Sequence, residues 1–170
     1  MKKYILYFAL FFTSQFLYGQ KATEQTNDFT IFGLVENPIS ITYADILTKE
    51  AVNIGNFKVT NHTVEFRKEY NNVKGVRLID LMQDLKIKEA NPKLLSEFYF
   101  VLKASDNYSV VASWNELFNT EIGNSFYIVV EADGKSQQDS NSNILLICTK
   151  DFKTGRRHIK GLKSIEVRRI

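Results

Sequence analysis

The chain has 170 residues, of which 44% are hydrophobic and 24% charged, and its formal net charge is +3. These values predict one folded globular domain and exclude a disordered or collagen-like chain. One cysteine and two histidines exclude a disulfide framework and a multi-cysteine zinc or iron–sulfur site, and we expect no protein-built metal site. The small net charge does not indicate a nucleic-acid-binding protein, so we expect no nucleic-acid partner.

Residues 1–19 have the pattern of a secretory signal peptide. Lys2 and Lys3 form a basic start, residues 4–17 are almost entirely apolar, and Gly19 is a small residue at the cleavage point. The apolar run is short for a bilayer span, which needs about 20 residues; a retained membrane anchor is the alternative. The start carries two lysines rather than a twin arginine, which indicates the general secretory route. We therefore expect a periplasmic or secreted protein that begins at Gln20 and has no transmembrane segment after cleavage.

Hydrophobic periodicity predicts strands interrupted by a few short helices. Residues 20–28 are polar, and we expect them to form a loose segment. The order does not alternate regularly as a βαβ array would, which favours a single mixed-sheet α+β domain over residues 29–170. Strands are predicted at 29–35, 57–66, 97–103, 109–112, 125–131, 144–149 and 165–170. Short helices are predicted at 42–47, 78–85 and 114–118.

The only cysteine, Cys148, lies in the apolar run at residues 144–149. A strand made almost entirely of apolar residues is usually buried on both faces. A reactive or metal-binding cysteine instead needs an accessible, deprotonated thiol. We therefore expect Cys148 to be buried and inert.

Charge is distributed unevenly along the mature chain. Residues 150–170 contain eight Lys or Arg and two Asp or Glu. Residues 20–149 contain twelve Lys or Arg and seventeen Asp or Glu. A basic tail on an acidic body indicates a small anionic ligand, a phosphate-bearing ligand or an acidic partner protein. The alternative is a solvated strand edge whose lysines discourage edge pairing.

Several segments follow one another in the order of a known family's motifs. Near the start, FGLVENP and ITYADIL look like an opening strand and a first helix, and VKGVRLIDL then looks like a G-V-x-L-x-D-L-L segment. In the middle, ASDNY looks like an S-x-D-G-Y turn, and EL looks like the E-L that follows it. At the end, GRRHIKGL with IEV looks like a G-x-R-x-V-K-x-L-x-x-I-x-V motif. Together, over residues 29–167, they resemble the sulfite-oxidase-like molybdopterin-binding domain family. The resemblance implies that family's mixed-sheet α+β fold and a molybdopterin cofactor.

The resemblance also implies where a ligand would bind and what this chain lacks. The family's ending supplies basic residues to the cofactor's phosphate; Arg157 and Lys160 match those positions, and His158 stands where a small polar residue is usual. Catalytic members hold molybdenum through a cysteine in the first half of the domain. Here that half has no cysteine, and His62 lies in the approximate region. Gly161 replaces a bulky aromatic residue, which would loosen the wall of the pocket.

The candidate ligand-binding residues are therefore Arg157, Lys160, His158 and His62; for both histidines an ordinary surface role is the alternative. No catalytic residue or metal ligand is assigned. The leading hypothesis is an exported domain that binds a pterin-like or other anionic ligand without molybdenum redox catalysis. One alternative is a molybdopterin-dependent oxidoreductase subunit, although the missing cysteine indicates that the chain is not a complete molybdoenzyme. The other is a structural adaptor that retains only the fold.

On the leading hypothesis, Arg157→Ala and Lys160→Ala lower anion affinity and leave stability nearly unchanged.

Overall fold

Alternating apolar residues give most strands one buried face, and these faces assemble two sheets. The computed structural model describes residues 23–140 and 144–170. The predicted signal peptide, residues 1–19, lies outside the described residues and stays a prediction.

The order of elements confirms a mixed α+β domain without regular βαβ alternation. The strands are β1 (Asp28–Gly33), β2 (Ile39–Thr42), β3 (Val52–Thr60), β4 (Phe66–Arg77), β5 (Phe98–Ala104), β6 (Ser109–Ser113), β7 (Phe126–Ala132), β8 (Lys135–Ser136), β9 (Leu145–Cys148) and β10 (Leu162–Arg169). The α-helices are α1 (Tyr43–Leu47), α2 (Leu78–Leu81) and α3 (Trp114–Phe118). Single 3-10 turns or short 3-10 helices occupy Pro92–Glu97, Gly123–Ser125, Gln137–Asp139 and Thr154–Arg157.

The first sheet has the strand order β2-β1-β10-β5-β6. Its last strand in sequence, β10, lies at the centre: it runs parallel to β1, with Ile31 opposite Ile165, and antiparallel to β5. The second sheet has the order β3-β4-β7-β8, and β9 also pairs with β7. All pairs in this second sheet are antiparallel. The segment between β9 and β10 therefore connects the two sheets.

Strand β9 is buried on both faces, as its apolar sequence predicts. Leu146 and Cys148 belong to the large core that the two sheets share. Leu145 and Ile147 belong to a second, smaller core on the other face of the second sheet. Because each face of β9 meets a core, no position in this strand favours a polar residue.

The predicted short helices are confirmed, and capping explains two of them. Thr42 with Asp45 and Ser113 with Glu116 form reciprocal capping boxes at the starts of α1 and α3. The prediction of a helix over 78–85 is too long, because α2 ends at Leu81. The following residues make i→i+3 turns, which preserve the apolar spacing without continuing the α-helix.

The prediction of one strand over residues 57–66 is wrong. Strand β3 ends at Thr60, a turn follows, and β4 begins at Phe66. The Asn61 side chain builds the turn: its Oδ1 accepts hydrogen bonds from the backbone N–H of Thr63 at 3.0 Å and of Glu65 at 2.9 Å. The alternation of apolar and polar residues continues through this turn, so periodicity alone does not reveal it.

The first described residues contact the body of the domain, in the stretch for which the sequence predicts a loose segment. Thr23 donates to Asp106 at 3.2 Å, and the Ser105 hydroxyl both accepts from and donates to the Glu24 backbone at 2.9 Å. Gly161 has φ +64°, and a Cβ there would lie 2.8 Å from the Glu24 carbonyl oxygen. A glycine at 161 thus accommodates both a left-handed backbone and this close approach.

Across residues 23–140 and 144–170, no helix combines the length and apolar composition needed to cross a bilayer.

Candidate anion-binding site

The segment from Thr154 to Gly161, which carries the predicted ligand residues, is fastened to the outer edge of β3. Thr154 accepts a hydrogen bond from the Thr60 backbone N–H at 2.9 Å and donates to the Lys58 carbonyl oxygen at 2.7 Å. A Cβ on Gly155 would collide with the Thr60 carbonyl oxygen. The glycine of this motif is therefore required by a close backbone approach. We name this junction the Thr60–Thr154 clamp.

Pairing with β9 then sets the direction of the next side chains. Ile159 and Leu146 exchange two backbone hydrogen bonds of 2.9 Å, and the Ile159 side chain is fully buried in the large core. Because side chains of an extended chain alternate, the two neighbours of Ile159 face the opposite way. His158 and Lys160 consequently lie toward β4.

We call Lys68, Tyr70, His158 and Lys160 the basic corner. Tyr70 contacts both Lys68 and His158, and the charge of Lys160 acts on these two residues. The Tyr70 hydroxyl and His158 Nε2 share a hydrogen bond of 2.9 Å. Lys68 Nζ lies 3.6 Å from the centroid of the Tyr70 ring. Lys68 and Lys160 are exposed, whereas Tyr70 is buried and His158 is half-buried. A partly buried tyrosine–histidine pair is thus flanked by two accessible ammonium groups.

Burial and like charges shift the pKa values in this corner. Burial, with Lys160 and Lys68 adding repulsion, lowers the pKa of His158 to about 4. Burial, with the negative charge of Asp133, raises the pKa of Tyr70 to about 12. Burial and the charge of Lys160 also lower the pKa of Lys68. At neutral pH the corner therefore holds a neutral imidazole and a neutral phenol beside two lysines that repel each other.

The structure places Arg157 in an internal ion-pair network. Its guanidinium donates from Nε to Asp151 Oδ2 at 2.8 Å, from Nη2 to the other oxygen of Asp151, and from Nη1 to Glu116. The guanidinium carbon lies 4.8 Å from the centroid of the Phe126 ring. The hydrogen bond that the guanidinium donates to Asp151 is the largest cause that raises the pKa of Arg157. The guanidinium therefore already has protein partners. Contact between Arg157 and a ligand stays a prediction.

Two further arginines of the basic tail form ion pairs elsewhere. Arg168 pairs with Glu166 at 2.6 Å, and Arg169 pairs with Glu89 at 3.0 Å and also with Glu97. These arginines lie near the end of β10, far along the strand from Lys160. The basic tail of the sequence is therefore not one continuous surface.

His62 lies in the exposed turn between β3 and β4. The interactions found among the described residues link it to no member of the basic corner. Sequence reasoning missed Lys68 and Tyr70, because they lie about 90 residues before His158 and meet it only through the pairing of β9. Of the predicted residues, the structure brings His158 and Lys160 together.

An apolar cavity lies elsewhere and contains none of the predicted site residues. It has a volume of about 530 Å³ and lies between α2, Leu95 and α3, with Trp114 and Phe118 in its wall. Its two carboxylates, Asp80 and Glu89, are paired with arginines. We therefore locate the candidate anion site at the basic corner and not in this cavity.

The residues of the chain do not fit a molybdenum centre held by a thiolate. Cys148, its single cysteine, is 0% exposed, and its thiol lies 3.2 Å from the Ser125 hydroxyl. Burial raises the pKa of this thiol, which keeps it protonated. In the part of the chain that the structure describes, no group of three or more His, Cys, Asp or Glu side chains could hold a metal ion. The burial predicted for Cys148 is confirmed.

Cys148 should be protected from thiol reagents in the native protein. Because the thiol is enclosed between both sheets, labelling requires opening of the core. We expect a maleimide to label urea-unfolded protein promptly and native protein at least about a hundredfold more slowly. Equal labelling rates in the two states would contradict a buried thiol.

Comparison with known proteins supports the fold. No family model matches the chain, and no curated protein matches it in sequence. Among solved structures it is similar to the sulfane dehydrogenase SoxCD from Paracoccus pantotrophus, with a TM-score of 0.55 and 13% sequence identity. The match covers 86% of this chain and 39% of that one, so the chain spans well under half the length of that relative. This likeness and the two-sheet architecture confirm the predicted mixed α+β fold of the sulfite-oxidase-like type.

Proposed function

We propose that the protein is an exported domain that binds a small anion, pterin-like or phosphate-bearing, at the basic corner, without molybdenum redox catalysis. The observation that carries the proposal is the pair Lys68 and Lys160 beside the partly buried Tyr70–His158 hydrogen bond. Export is part of the proposal and rests on the sequence of residues 1–19.

The two lysines provide a positive charge that carboxylates of the described residues offset only in part. Within those ranges no ion pair involves either ammonium group; the charge of Asp133 attracts Lys68, and that of Lys160 repels it. An anion between them relieves this repulsion and gains charge-assisted hydrogen bonds. Arg157, in contrast, is already neutralised by two carboxylates.

The tyrosine–histidine pair adds directional polar groups at the floor of the corner. The pKa of Tyr70, raised to about 12, keeps its hydroxyl protonated across the physiological range. Polar groups that are fixed before the ligand arrives bind it without a further loss of conformational entropy. The corner thus combines two exposed charges with a partly buried, hydrogen-bonded pair.

Calorimetry with inorganic phosphate, sulfate and a carboxylated pterin tests this function. We expect at least one of these anions to bind, with affinity falling as salt rises. Lys68→Gln and Lys160→Gln should each weaken binding about tenfold, since each removes a charge-assisted contact. Lys160→Gln should retain the stability of the wild type, whereas Lys68→Gln should lose at most about 1 kcal/mol, because it removes the ammonium group that lies over the Tyr70 ring.

Lys88→Gln is the matched control, because Lys88 is an exposed lysine outside the basic corner. It should bind anions as the wild type does. Unchanged affinity in both corner variants, or an equal loss in Lys88→Gln, would show that the basic corner is not the site.

A molybdopterin-dependent oxidoreductase subunit is the second candidate. Its support is the fold likeness to a chain of the sulfane dehydrogenase SoxCD over 86% of this chain. We place it second because the only thiol is buried and protonated. Metal and pterin analysis of protein purified from its native compartment distinguishes the two: stoichiometric molybdenum with a pterin would favour the oxidoreductase.

A further inference from the structure

One residue adopts a backbone conformation that its side chain disfavours. Among the described residues, the non-glycine residues with positive φ are Val64, Asn72, Asn107 and Asp133. Asn and Asp tolerate this left-handed region, whereas a β-branched residue is an outlier there. Val64 has φ +67° and is 56% exposed, so its side chain contributes little to either core. The strain at Val64 is therefore not repaid by burial.

The turn that holds Val64 is rigid and presents apolar side chains to solvent. Asn61 accepts hydrogen bonds from Thr63 and Glu65, and its amide donates to the Glu65 carboxylate at 2.8 Å. Phe66, which follows the turn, is 61% exposed. Strained residues persist where the surroundings determine them, and they are frequent at functional sites.

A third apolar side chain lies at the same end of the second sheet. Phe152 is 94% exposed and precedes the Thr60–Thr154 clamp by two residues. Across the β3–β4 ladder, Thr60 pairs with Phe66. The clamp therefore fixes the loop of Phe152 beside the end of the hairpin. We call Val64, Phe66 and Phe152 the hairpin-tip surface.

Positive charge surrounds this surface. Segments 58–69 and 150–160 together contain eight Lys or Arg and three Asp or Glu. Asp151 and Arg157 are both committed to the internal ion-pair network, which leaves seven Lys or Arg and two Asp or Glu. Lys58, Lys150 and Lys153 are exposed. The hairpin-tip surface thus combines protruding apolar side chains with a basic border.

We propose that the hairpin-tip surface binds the anionic surface of a lipid bilayer. Apolar and aromatic side chains on protruding turns enter the interfacial region, and flanking Lys and Arg are attracted to anionic headgroups. A bilayer accepts separate protruding side chains, whereas a protein partner would have to match their shape. Lys68 and Lys160 belong both to the basic corner and to this basic border, whereas Val64, Phe66 and Phe152 are not members of that corner. Variants of the apolar residues therefore test membrane binding separately from anion binding.

Sedimentation with vesicles tests the proposal on the chain that begins at Gln20. Residues 23–170 include both sheets and both cores, so this chain retains the described fold. We expect it to sediment with phosphatidylcholine vesicles that contain about one third phosphatidylglycerol, and not with phosphatidylcholine alone. Phe66→Ser and Phe152→Ser should each lower the partition coefficient onto these vesicles about tenfold, because each methylene group buried in the bilayer changes that coefficient about fourfold.

Val64→Gly separates function from stability. Glycine relieves the strained φ, so this variant should unfold at a higher temperature and yet bind the anionic vesicles more weakly. Ile170→Ser is the control: Ile170 is 93% exposed but lies at the opposite end of β10 from Lys160, and this change should leave binding intact.

Three results would overturn the proposal. The first is no sedimentation with anionic vesicles at low salt, which would mean that the hairpin-tip surface binds a protein partner or has no partner. The second is equal sedimentation with neutral vesicles. The third is undiminished binding in all three apolar variants.

Discussion

Arg157→Ala is expected to lower the free energy of unfolding by about 3 kcal/mol, because it leaves two largely buried carboxylates without a cationic partner. The side chains of Asp151 and Glu116 are only 12% and 27% exposed. The change also removes a guanidinium that packs against Phe126. Urea unfolding followed by circular dichroism measures the loss. This expectation replaces the sequence-based one, in which both ligand-residue variants keep their stability.

The adjacent Arg156→Ala is the matched control, because the Arg156 side chain is exposed and should contribute less than about 0.5 kcal/mol. A second variant tests the mechanism: Arg157→Met combined with Asp151→Asn and Glu116→Gln removes all three charges together. It should recover much of the loss, since an ion pair replaced as a unit leaves no buried charge. Gln at 116 also preserves the capping box of α3. If Arg157→Ala were as stable as Arg156→Ala, the network would have no structural role.

Stability should fall in mildly acidic solution because of His158. Folding lowers its pKa from the ordinary 6.5 to about 4, mainly through burial. Between these values the unfolded chain binds the proton and the folded chain does not, so protonation favours unfolding. The contribution of His158 is fully present above about pH 6.5 and is lost as the pH falls toward 4, up to about 3 kcal/mol.

Paired histidine variants isolate this contribution from carboxylates that titrate nearby. His158→Gln should flatten the stability profile between about pH 6.5 and 4 relative to the wild type, whereas His62→Gln should reproduce the wild-type slope. Phosphate-free buffers are required, because an anion at the basic corner would favour the charged imidazole. An identical slope in His158→Gln would show that His158 is not held neutral by the fold.

Local rules in the sequence predicted most elements correctly. Ser113 and Glu116 mark the start of α3, because capping depends on residues only three positions apart. The apolar run at 144–149 predicts the doubly buried β9 and the inert Cys148, because a strand between two cores has no solvent-facing position. The same rules failed at residues 57–66, where a side chain of Asn61 builds a turn without interrupting the alternation.

The candidate site depended on contacts between distant parts of the chain. The sequence placed Arg157 and Lys160 together as one anion contact, since they are three residues apart. The fold separates their roles: carboxylates from α3 and from the loop after β9 surround Arg157, whereas Lys160 lies with Lys68. Charge counts cannot show which basic residue already has an ion-pair partner, because the tertiary packing determines which carboxylates lie beside it.

The sequence by itself determined the fold class, the short capped helices and the burial of its only thiol. These features follow from hydrophobic periodicity and from hydrogen bonds between near neighbours, which do not require knowledge of the rest of the chain. Only the tertiary structure decided that Tyr70 meets His158, that Arg157 is internally paired, and that Val64 is strained and exposed. The Tyr70–His158 contact depends on strand pairing across a long separation, and the Arg157 network depends on a carboxylate from α3. The conformation of Val64 depends on the turn that the Asn61 side chain builds, which overrides the local preference of a β-branched residue.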